Sequence, residues 1–338
     1  MHTGIDILEN EILKQYPDVL SILLRDHTTQ QNIIWATDNY EDLGEGYEVN
    51  AHILTDLITG KNGNIIMPRV QKEKILQQNR SKERAEVFTP SWICNAQNNL
   101  IDKEWFGRKH VFNKELTSRD RTKTWAVNTE NIIFPIKKTW RDYVRDTRLE
   151  IACGEAPYIT SRYDTTTGDF IPIEKRIGII DRKLRVINEN VDSSGEWLKA
   201  AQTAYKNTYA FEWQGDSLLL AREAMLITFI ENYTQMFGKK PLLKSIKYIA
   251  YIISWNIWQM DGLKGVIPDS CGEKTEISVN LFGETEITTT VCEGCQKDNI
   301  FEHNGTYVLI NDWSSKDLKT ENKRQSIRFI DLLNKYNK

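Results

Sequence analysis

One stretch of sequence decides the fold class that we predict for this chain: Leu149-Glu150-Ile151-Ala152-Cys153-Gly154-Glu155-Ala156-Pro157-Tyr158. It begins as a short apolar strand and reaches a glycine directly after Cys153. In open α/β sheets, ligands bind beyond the carboxyl ends of the strands, where glycine lets the backbone come close to them. The stretch therefore predicts a ligand-binding loop at the end of a parallel strand.

Two further apolar segments end on an acid and are predicted as strands. Arg176–Asp181 is the second, and Ile252–Met260, followed by Asp261, is the third. Asp181 lies 27 residues beyond Gly154, close to the spacing expected for an acid that binds ribose hydroxyls. Helical periodicity separates the strands, over Ser194 to about Lys206, over Asp216 to about Phe237 and after Pro241. Strands that alternate with helices predict a parallel sheet with right-handed crossovers.

Composition describes a globular chain with no obvious membrane segment. The 338 residues are 40% hydrophobic, and no run of about 18 apolar residues occurs, so we expect no membrane partner. The first residues lack the apolar stretch of a secretion signal, and five cysteines are too few for a disulfide framework. These features favour a cytoplasmic location.

The net charge of −3 does not fit a protein that coats nucleic acid, because phosphate contacts require cations. Positive charge is nevertheless clustered, at Arg69 to Arg84, Arg119 to Lys123 and Lys137 to Arg148. A local basic groove and ordinary solvated helix faces both explain such clusters.

Several motifs resemble those of the DNA adenine amino-methyltransferases, such as the modification subunits of type I restriction systems. Glu86-Val87-Phe88-Thr89-Pro90 resembles the Phe-Thr-Pro motif that precedes their cofactor site, and Ala152-Cys153-Gly154 matches the centre of their first cofactor motif. Asn256 to Leu263 is similar to their third motif. The motifs occur in the family's order, over roughly residues 84 to 263.

The resemblance implies a fold, a cofactor and an activity. The fold would be an α/β, Rossmann-like S-adenosylmethionine-dependent methyltransferase core over residues 84–263, after a helical N-terminal region (1–83) and before a β-rich C-terminal part (264–338). The activity would be methylation of the exocyclic amino group of adenine in DNA, in a restriction-modification or phage-defence system with a specificity or restriction subunit. The cofactor would lie near Phe88, Thr89 and Pro90, with its methionine part against Ala152, Cys153, Gly154 and Glu155, its ribose on Asp181 and its adenine on Asp261.

Two departures from the family bear on catalysis. Ala156 and Pro157 replace the second glycine region of the first motif, and the Asn-Pro-Pro-Tyr motif that positions the target amine is absent. The nearest substitute follows an apolar strand, with Asn311 or Asp312 as acceptor and Trp313 as the stacking ring. The same residues can also be a strand that ends in a turn with a half-buried tryptophan. Two alternatives therefore remain. One is a catalytically inactive, methyltransferase-like DNA-binding or regulatory subunit. The other is a methyltransferase for RNA or a small molecule.

A second candidate site is a metal centre near the C-terminus. Cys292-Glu293-Gly294-Cys295 is a C-x-x-C motif, with Cys271 before it and His303 after it. Three thiolates and one imidazole are a common ligand set for structural zinc. A redox pair and free thiols are the alternatives for the same motif.

Overall fold

The computed structural model describes residues 9–72, 89–279, 285–313 and 326–336. Its α-helices are α1 (Glu9–Gln15), α2 (Val19–Leu24), α3 (Ser91–Phe106), α4 (Trp140–Arg145), α5 (Ile179–Asn190), α6 (Ser194–Lys206), α7 (Gly215–Phe237), α8 (Leu243–Asn256), α9 (Glu293–Lys297) and α10 (Asp331–Tyr336). Its strands are β1 (Asn113–Thr117), β2 (Lys123–Val127), β3 (Arg148–Ile151), β4 (Thr208–Glu212), β5 (Ile257–Gln259), β6 (Lys274–Val279), β7 (Thr285–Thr290), β8 (Leu309–Asn311) and β9 (Ser326–Arg328).

A parallel sheet of three strands lies at the centre, in the order β3-β4-β5. Leu149 is opposite Tyr209 and Ile151 is opposite Phe211, while Phe211 is opposite Trp258 on its other side. Helices α5 and α6 connect β3 to β4, and α7 and α8 connect β4 to β5. The predicted parallel sheet with helical connections is thus present, although its strands differ from those predicted. Its assignment to a Rossmann-like methyltransferase core stays a prediction.

The strand predicted over Arg176–Asp181 is wrong, because the chain enters helix α5 at that point. Asp181 is in the first turn, where its carboxylate accepts a hydrogen bond from the Gly178 amide at 3.1 Å. The first amides of a helix have no acceptor within the helix, and an acid at the third helical position can accept a hydrogen bond from one of them. Ile180, Leu184 and Ile187 then follow at helical spacing and are buried. The central strand is instead β4, which the sequence pattern did not reveal.

The third predicted strand is correct only in its last residues. Helix α8 continues to Asn256, so the strand β5 is limited to Ile257–Gln259. Ile246, Ile249 and Ile253 continue the helical spacing, and all three are buried. The helices predicted over Ser194 to Lys206 and Asp216 to Phe237 are confirmed as α6 and α7. Helix α7 is apolar on most sides because it is buried on most sides.

The N-terminal region is less helical than predicted. After α1 and α2 the described chain is irregular, and it contains only short 3-10 turns such as Thr55–Leu57. The described part of this region shares its core with the rest of the chain, since Leu24 and Trp35 belong to the same buried cluster as Phe229 of α7. The predicted division of the chain into three parts stays a prediction.

The C-terminal part carries two small antiparallel pairs, β6 with β7 and β8 with β9. Ile310 and Phe329 from this part pack with Phe211 and Trp258, and so cover one face of β4 and β5. Among the described helices, none has both the length and the apolar character that a membrane crossing requires.

Candidate functional site

The loop after β3 adopts a strained conformation. Ala152, Gly154 and Ala156 all have left-handed backbones, with φ of 53°, 53° and 58°. Alanine in this region costs about 1 kcal/mol or more, and such strain is concentrated at ligand-binding loops. The alanine that replaces the family's second glycine therefore does not prevent a positive φ at that position. Ala156 is fully buried, so surrounding packing holds the loop in this shape.

The loop is attached to the end of the neighbouring strand through Glu212. The Gly154 amide donates a hydrogen bond of 2.7 Å to Oε2 of Glu212, the last residue of β4. Burial raises the pKa of the Glu212 carboxyl, although the Gly154 amide favours the ionised form. Glu212 therefore occupies the position that the sequence prediction gave to Asp181: the acid at the carboxyl end of the second strand.

Asp181 itself has a different environment. Its Oδ2 accepts hydrogen bonds from the Ser161 amide at 2.9 Å, the Ser161 hydroxyl at 3.0 Å and the Gly178 amide at 3.1 Å. These bonds join the start of α5 to the segment that follows the glycine loop. Burial raises the pKa of Asp181, and the nearby Arg176 opposes this shift. Asp181 thus serves helix capping and loop attachment and does not end a strand.

Asp261 lies at the end of the third strand, as predicted. It follows β5 by two residues, and the Met260 amide donates to the Glu212 carbonyl at 3.0 Å. Oδ1 of Asp261 accepts from the amides of Leu263 at 2.9 Å and Lys264 at 3.1 Å, so the carboxylate also closes the turn after the strand. Glu212 and Asp261 therefore mark neighbouring strand ends at one edge of the sheet.

The Thr89-Pro90 pair lies next to the segment after the glycine loop, whereas Phe88 lies outside the described residues. Pro90 precedes helix α3, and the Ser91 amide donates to Asp164 at 2.7 Å. Further along α3, the Asn98 side-chain amide donates to the Tyr158 carbonyl at 3.0 Å. The structure therefore brings residues 89–90 and 152–158, the two halves of the predicted cofactor motif, to one region.

The N-terminal region also reaches this edge of the sheet. Nζ of Lys72 is 3.0 Å from Oδ2 of Asp216, in the first turn of α7, and both side chains are buried. The Arg69 amide donates to the Glu155 carboxylate at 2.7 Å. Residues 69 and 72 thus attach to the glycine loop and to the helix that follows β4. Nothing in the sequence pattern indicated this arrangement.

The four predicted metal ligands are brought together. Sγ of Cys271 lies 3.2 Å from Sγ of Cys292, 3.5 Å from Sγ of Cys295 and 3.3 Å from Nδ1 of His303. The ligand atoms all lie within 4.8 Å of one another, a cluster that could hold a metal ion. Around tetrahedral zinc, sulfur atoms would lie about 3.8 Å apart, given Zn–S bonds of about 2.3 Å. The geometry is therefore compatible with structural zinc.

Two local features support this cluster. Burial disfavours ionisation of Cys292, but hydrogen bonds from the Asn304 amide and from Cys271 lower the pKa of this thiol to about 6, while burial and the same contact raise the pKa of Cys271 to about 12. The thiolate is the form of cysteine that binds metals. A Cβ atom on Gly294, within the C-x-x-C motif, would lie 2.5 Å from the His303 amide, so the close turn requires glycine.

The predicted acceptor residues lie elsewhere. The indole nitrogen of Trp313 donates to Asn256 at 2.7 Å, directly before β5, which is the amino end of the parallel strands. Asn311 is buried in β8, and Tyr307, just before β8, bridges to Val266 beyond the carboxyl end of β5. The chain from residue 307 to 313 therefore runs away from the glycine loop. This placement removes the geometric reason for assigning Asn311, Asp312 and Trp313 to the acceptor amine.

Comparisons with known proteins do not assign a family or a function to this chain. No family model, no curated protein and no solved structure matches the chain.

Proposed function

We propose that this protein binds S-adenosylmethionine at the carboxyl edge of β3, β4 and β5, as part of a DNA adenine amino-methylation system. The observation that carries the proposal is the contact between Gly154 and Glu212. In doubly wound sheets, a glycine loop after the first strand and an acid after the second together bind a nucleoside-containing cofactor. Glu212, not Asp181, is the proposed ribose ligand.

The other contacts follow from the positions of the strand ends. The methionine part of the cofactor would lie against Ala152 to Glu155, and its adenine would lie towards Asp261. A carboxylate such as Glu212 can accept hydrogen bonds from two vicinal hydroxyls, because it has two oxygens and no donor when ionised. When bound, the cofactor would supply an electrophilic methyl group. The protein's contribution would be to orient it and to exclude water.

Charge distribution supports DNA as the partner. Residues 102–148 contain twelve Lys and Arg against seven Asp and Glu, a net charge of +5 in a chain whose total is −3. The turn between β1 and β2 exposes Arg119 and Arg121, and Lys123 at the start of β2 is exposed beside them, with its Nζ 4.1 Å from the centre of the Trp92 ring. Clustered cations with adjacent aromatic rings suit a phosphate backbone. The restriction-modification or phage-defence context and the cytoplasmic location belong to the same proposal.

The absent Asn-Pro-Pro-Tyr motif favours a second form of the function. In that form the chain binds cofactor and DNA as a regulatory or scaffold subunit, while methyl transfer requires groups from elsewhere. Tritiated methyl transfer to unmodified DNA separates the two forms, since only a complete enzyme transfers methyl groups by itself.

We also propose that Cys271, Cys292, Cys295 and His303 bind zinc in a structural role. Four protein ligands would leave no open coordination position, which is the arrangement of structural zinc sites. Such a zinc would hold the two ends of the β6–β7 hairpin together, because Cys271 and Cys292 lie on either side of it.

Calorimetry with S-adenosylmethionine tests the cofactor proposal directly. We expect the purified chain to bind it, and Glu212→Gln to weaken binding by at least about tenfold, which corresponds to a loss of about 1.4 kcal/mol. Glu150→Gln is the matched control, because Glu150 is an equally buried acid on the neighbouring strand. Absence of binding at millimolar cofactor, or equal losses in both variants, would refute the proposal.

A further inference from the structure

A recess lies between the β1–β2 hairpin and the start of helix α5. It has about 290 Å³ of empty space, counting the solvent at its open mouth. The charged residues that line it are Lys175, Arg176, Arg182 and Arg185, with Glu174 and Asp181. Four cations against two acids give the lining a net charge of +2. A concave surface with an excess of positive charge concentrates anions.

Two of the arginines have nitrogen atoms that no described residue accepts from. These atoms are Nη2 of Arg176 and Nε of Arg182, and both are buried. Other nitrogens of the same guanidinium groups are occupied, because Arg176 pairs with Glu231 at 2.7 Å and Arg182 pairs with Asp102. Buried donors are rarely left without an acceptor, so two of them at one recess point to a bound water molecule or ion.

Asp181 uses only one of its two carboxylate oxygens to hold the fold. Oδ2 accepts the three hydrogen bonds from Ser161 and Gly178, whereas Oδ1 is buried and has no partner among the described residues. An ionised carboxylate can only accept hydrogen bonds. A ligand in the recess therefore needs a hydrogen-bond donor for Asp181 as well as charged acceptors for the arginines.

The backbone amides at the start of α5 are already bonded. The Ile179 amide donates to the Tyr158 carbonyl at 2.8 Å, and the Ile180 amide donates to the Ile159 carbonyl at 2.9 Å. Binding in the recess would therefore depend on side chains, which substitution can change one at a time.

We propose that this recess binds a terminal phosphate group, either free phosphate or a phosphomonoester. Its ionised oxygens accept hydrogen bonds from Arg176 and Arg182, as charged acceptors do from guanidinium groups. A phosphate group loses its last proton only at about pH 6, so below that pH its P–OH donates to Oδ1 of Asp181. Sulfate has no such proton and meets the carboxylate with charge alone. The proposal is independent of the proposed cofactor site, which uses other residues.

Calorimetry with the purified full chain at about pH 6 tests the proposal without any variant. We expect inorganic phosphate to bind, and sulfate to bind at least about tenfold more weakly. Ribose 5-phosphate tests the second source of the group: tighter binding than phosphate identifies a phosphomonoester as the ligand, and weaker binding identifies free phosphate. No binding of either compound at millimolar concentration would overturn the proposal. Equal affinity for phosphate and sulfate would also overturn it, since that result describes unselective attraction of anions.

Arg176→Lys tests the guanidinium contact. The variant keeps the positive charge and removes Nη2, so we expect phosphate affinity to fall by about tenfold. Arg162→Lys is the matched control, because Arg162 is also buried, pairs with the same Glu231 at 3.1 Å and is not among the residues that line the recess. Thermal unfolding without ligand establishes that both variants fold. Equal losses of affinity in the two variants would place the effect at Glu231 and overturn the proposal.

Asp181→Asn tests the origin of selectivity. The amide oxygen of asparagine can accept from Ser161 and Gly178 in place of Oδ2, which puts the NH2 group in the position of Oδ1. Because that group donates, we expect sulfate affinity to rise by about tenfold and the preference for phosphate to disappear. A purely structural role of Asp181 would change stability but not the ratio of the two affinities. An unchanged ratio in the folded variant would overturn the proposal.

Discussion

The Gly154 amide and the Glu212 carboxylate, 58 positions apart in sequence, are joined by a hydrogen bond of 2.7 Å across two neighbouring parallel strands. The bond fixes the loop after β3 against the end of β4. Glu212 is buried, and the partners that lower the pKa of its carboxyl are backbone amides, with no cation among them. A buried acid of this kind disfavours folding at neutral pH, and residues retained at such a cost are candidates for function.

Glu212→Gln should separate stability from binding. Because burial raises the pKa of Glu212, the folded protein disfavours its ionised form, and this acid destabilises the fold as pH rises above the unfolded value. Glutamine carries no charge at any pH. We therefore expect the variant's free energy of unfolding to exceed that of the wild type more at pH 8 than at pH 4. Urea unfolding at the two pH values measures this, and a difference that shrinks with rising pH would contradict it.

Asp181→Ala should show the opposite behaviour. The carboxylate accepts three hydrogen bonds from Ser161 and Gly178, and the substitution leaves those buried donors without an acceptor. We expect a loss of about 2–3 kcal/mol in the free energy of unfolding. Affinity for S-adenosylmethionine, measured by calorimetry well below the unfolding temperature, should stay close to that of the wild type. A large loss of affinity with unchanged stability would return Asp181 to the cofactor site.

Glu212 and Asp181 show what could and could not be predicted from the sequence. The glycine loop, α6 and α7 follow from local patterns, which the surrounding structure reinforces. Asp181 was wrongly placed at the end of a strand because Arg176–Asp181 has the apolar run and final acid of a strand, although the acid belongs to a helix cap. The true second strand was missed because two helices separate it from β3, which lengthens the spacing beyond the usual one of about 20 residues.

The Cys271–His303 cluster could be predicted from the sequence and the position of Asn311 to Trp313 could not, for a similar reason. The cluster of possible metal ligands could be predicted because a C-x-x-C turn fixes two of them locally, and a hairpin needs only to return Cys271 and Cys292 to one place. The acceptor role of Asn311 to Trp313 depended on which end of the sheet they reach. Residue types do not contain that information, because the direction of β8 is set by its tertiary contacts.

Gly215→Ala tests how closely the N-terminal region packs on α7. A Cβ atom at this position would lie 2.1 Å from the Ile34 carbonyl oxygen, a backbone atom that cannot move aside as a flexible side chain can, and 2.9 Å from Cδ1 of Ile53. We expect a loss of about 2 kcal/mol or more, as for other overpacked sites. The control is Gly195→Ala in α6, where no atom lies within 4 Å and alanine should stabilise the helix by up to about 1 kcal/mol. Equal unfolding midpoints for the two variants would contradict the packing.

Metal analysis of the purified chain tests the zinc proposal. We expect one zinc ion per chain in the wild type and little in Cys295→Ser, which removes a ligand from an exposed position. Cys94→Ser is the control. Cys94 is buried, lies far from the cluster in the sequence, and contacts the Thr89 carbonyl through its thiol. Chelation should lower the unfolding temperature of the wild type and of Cys94→Ser, but not that of Cys295→Ser. Full zinc content in Cys295→Ser would exclude it as a ligand.

Reversal of charge in the β1–β2 turn tests the DNA surface. The double variant Arg119→Glu, Arg121→Glu changes two exposed cations of the basic region, so repulsion of phosphate should weaken duplex binding by about tenfold or more at low salt. Fluorescence anisotropy with a labelled duplex at several salt concentrations should also show a smaller salt dependence, by about one to two in the logarithmic slope. Lys199→Glu with Lys239→Glu makes the same change in net charge on exposed positions outside residues 102–148. If both double variants weaken binding equally, net charge alone explains the effect and the turn is not a specific contact surface.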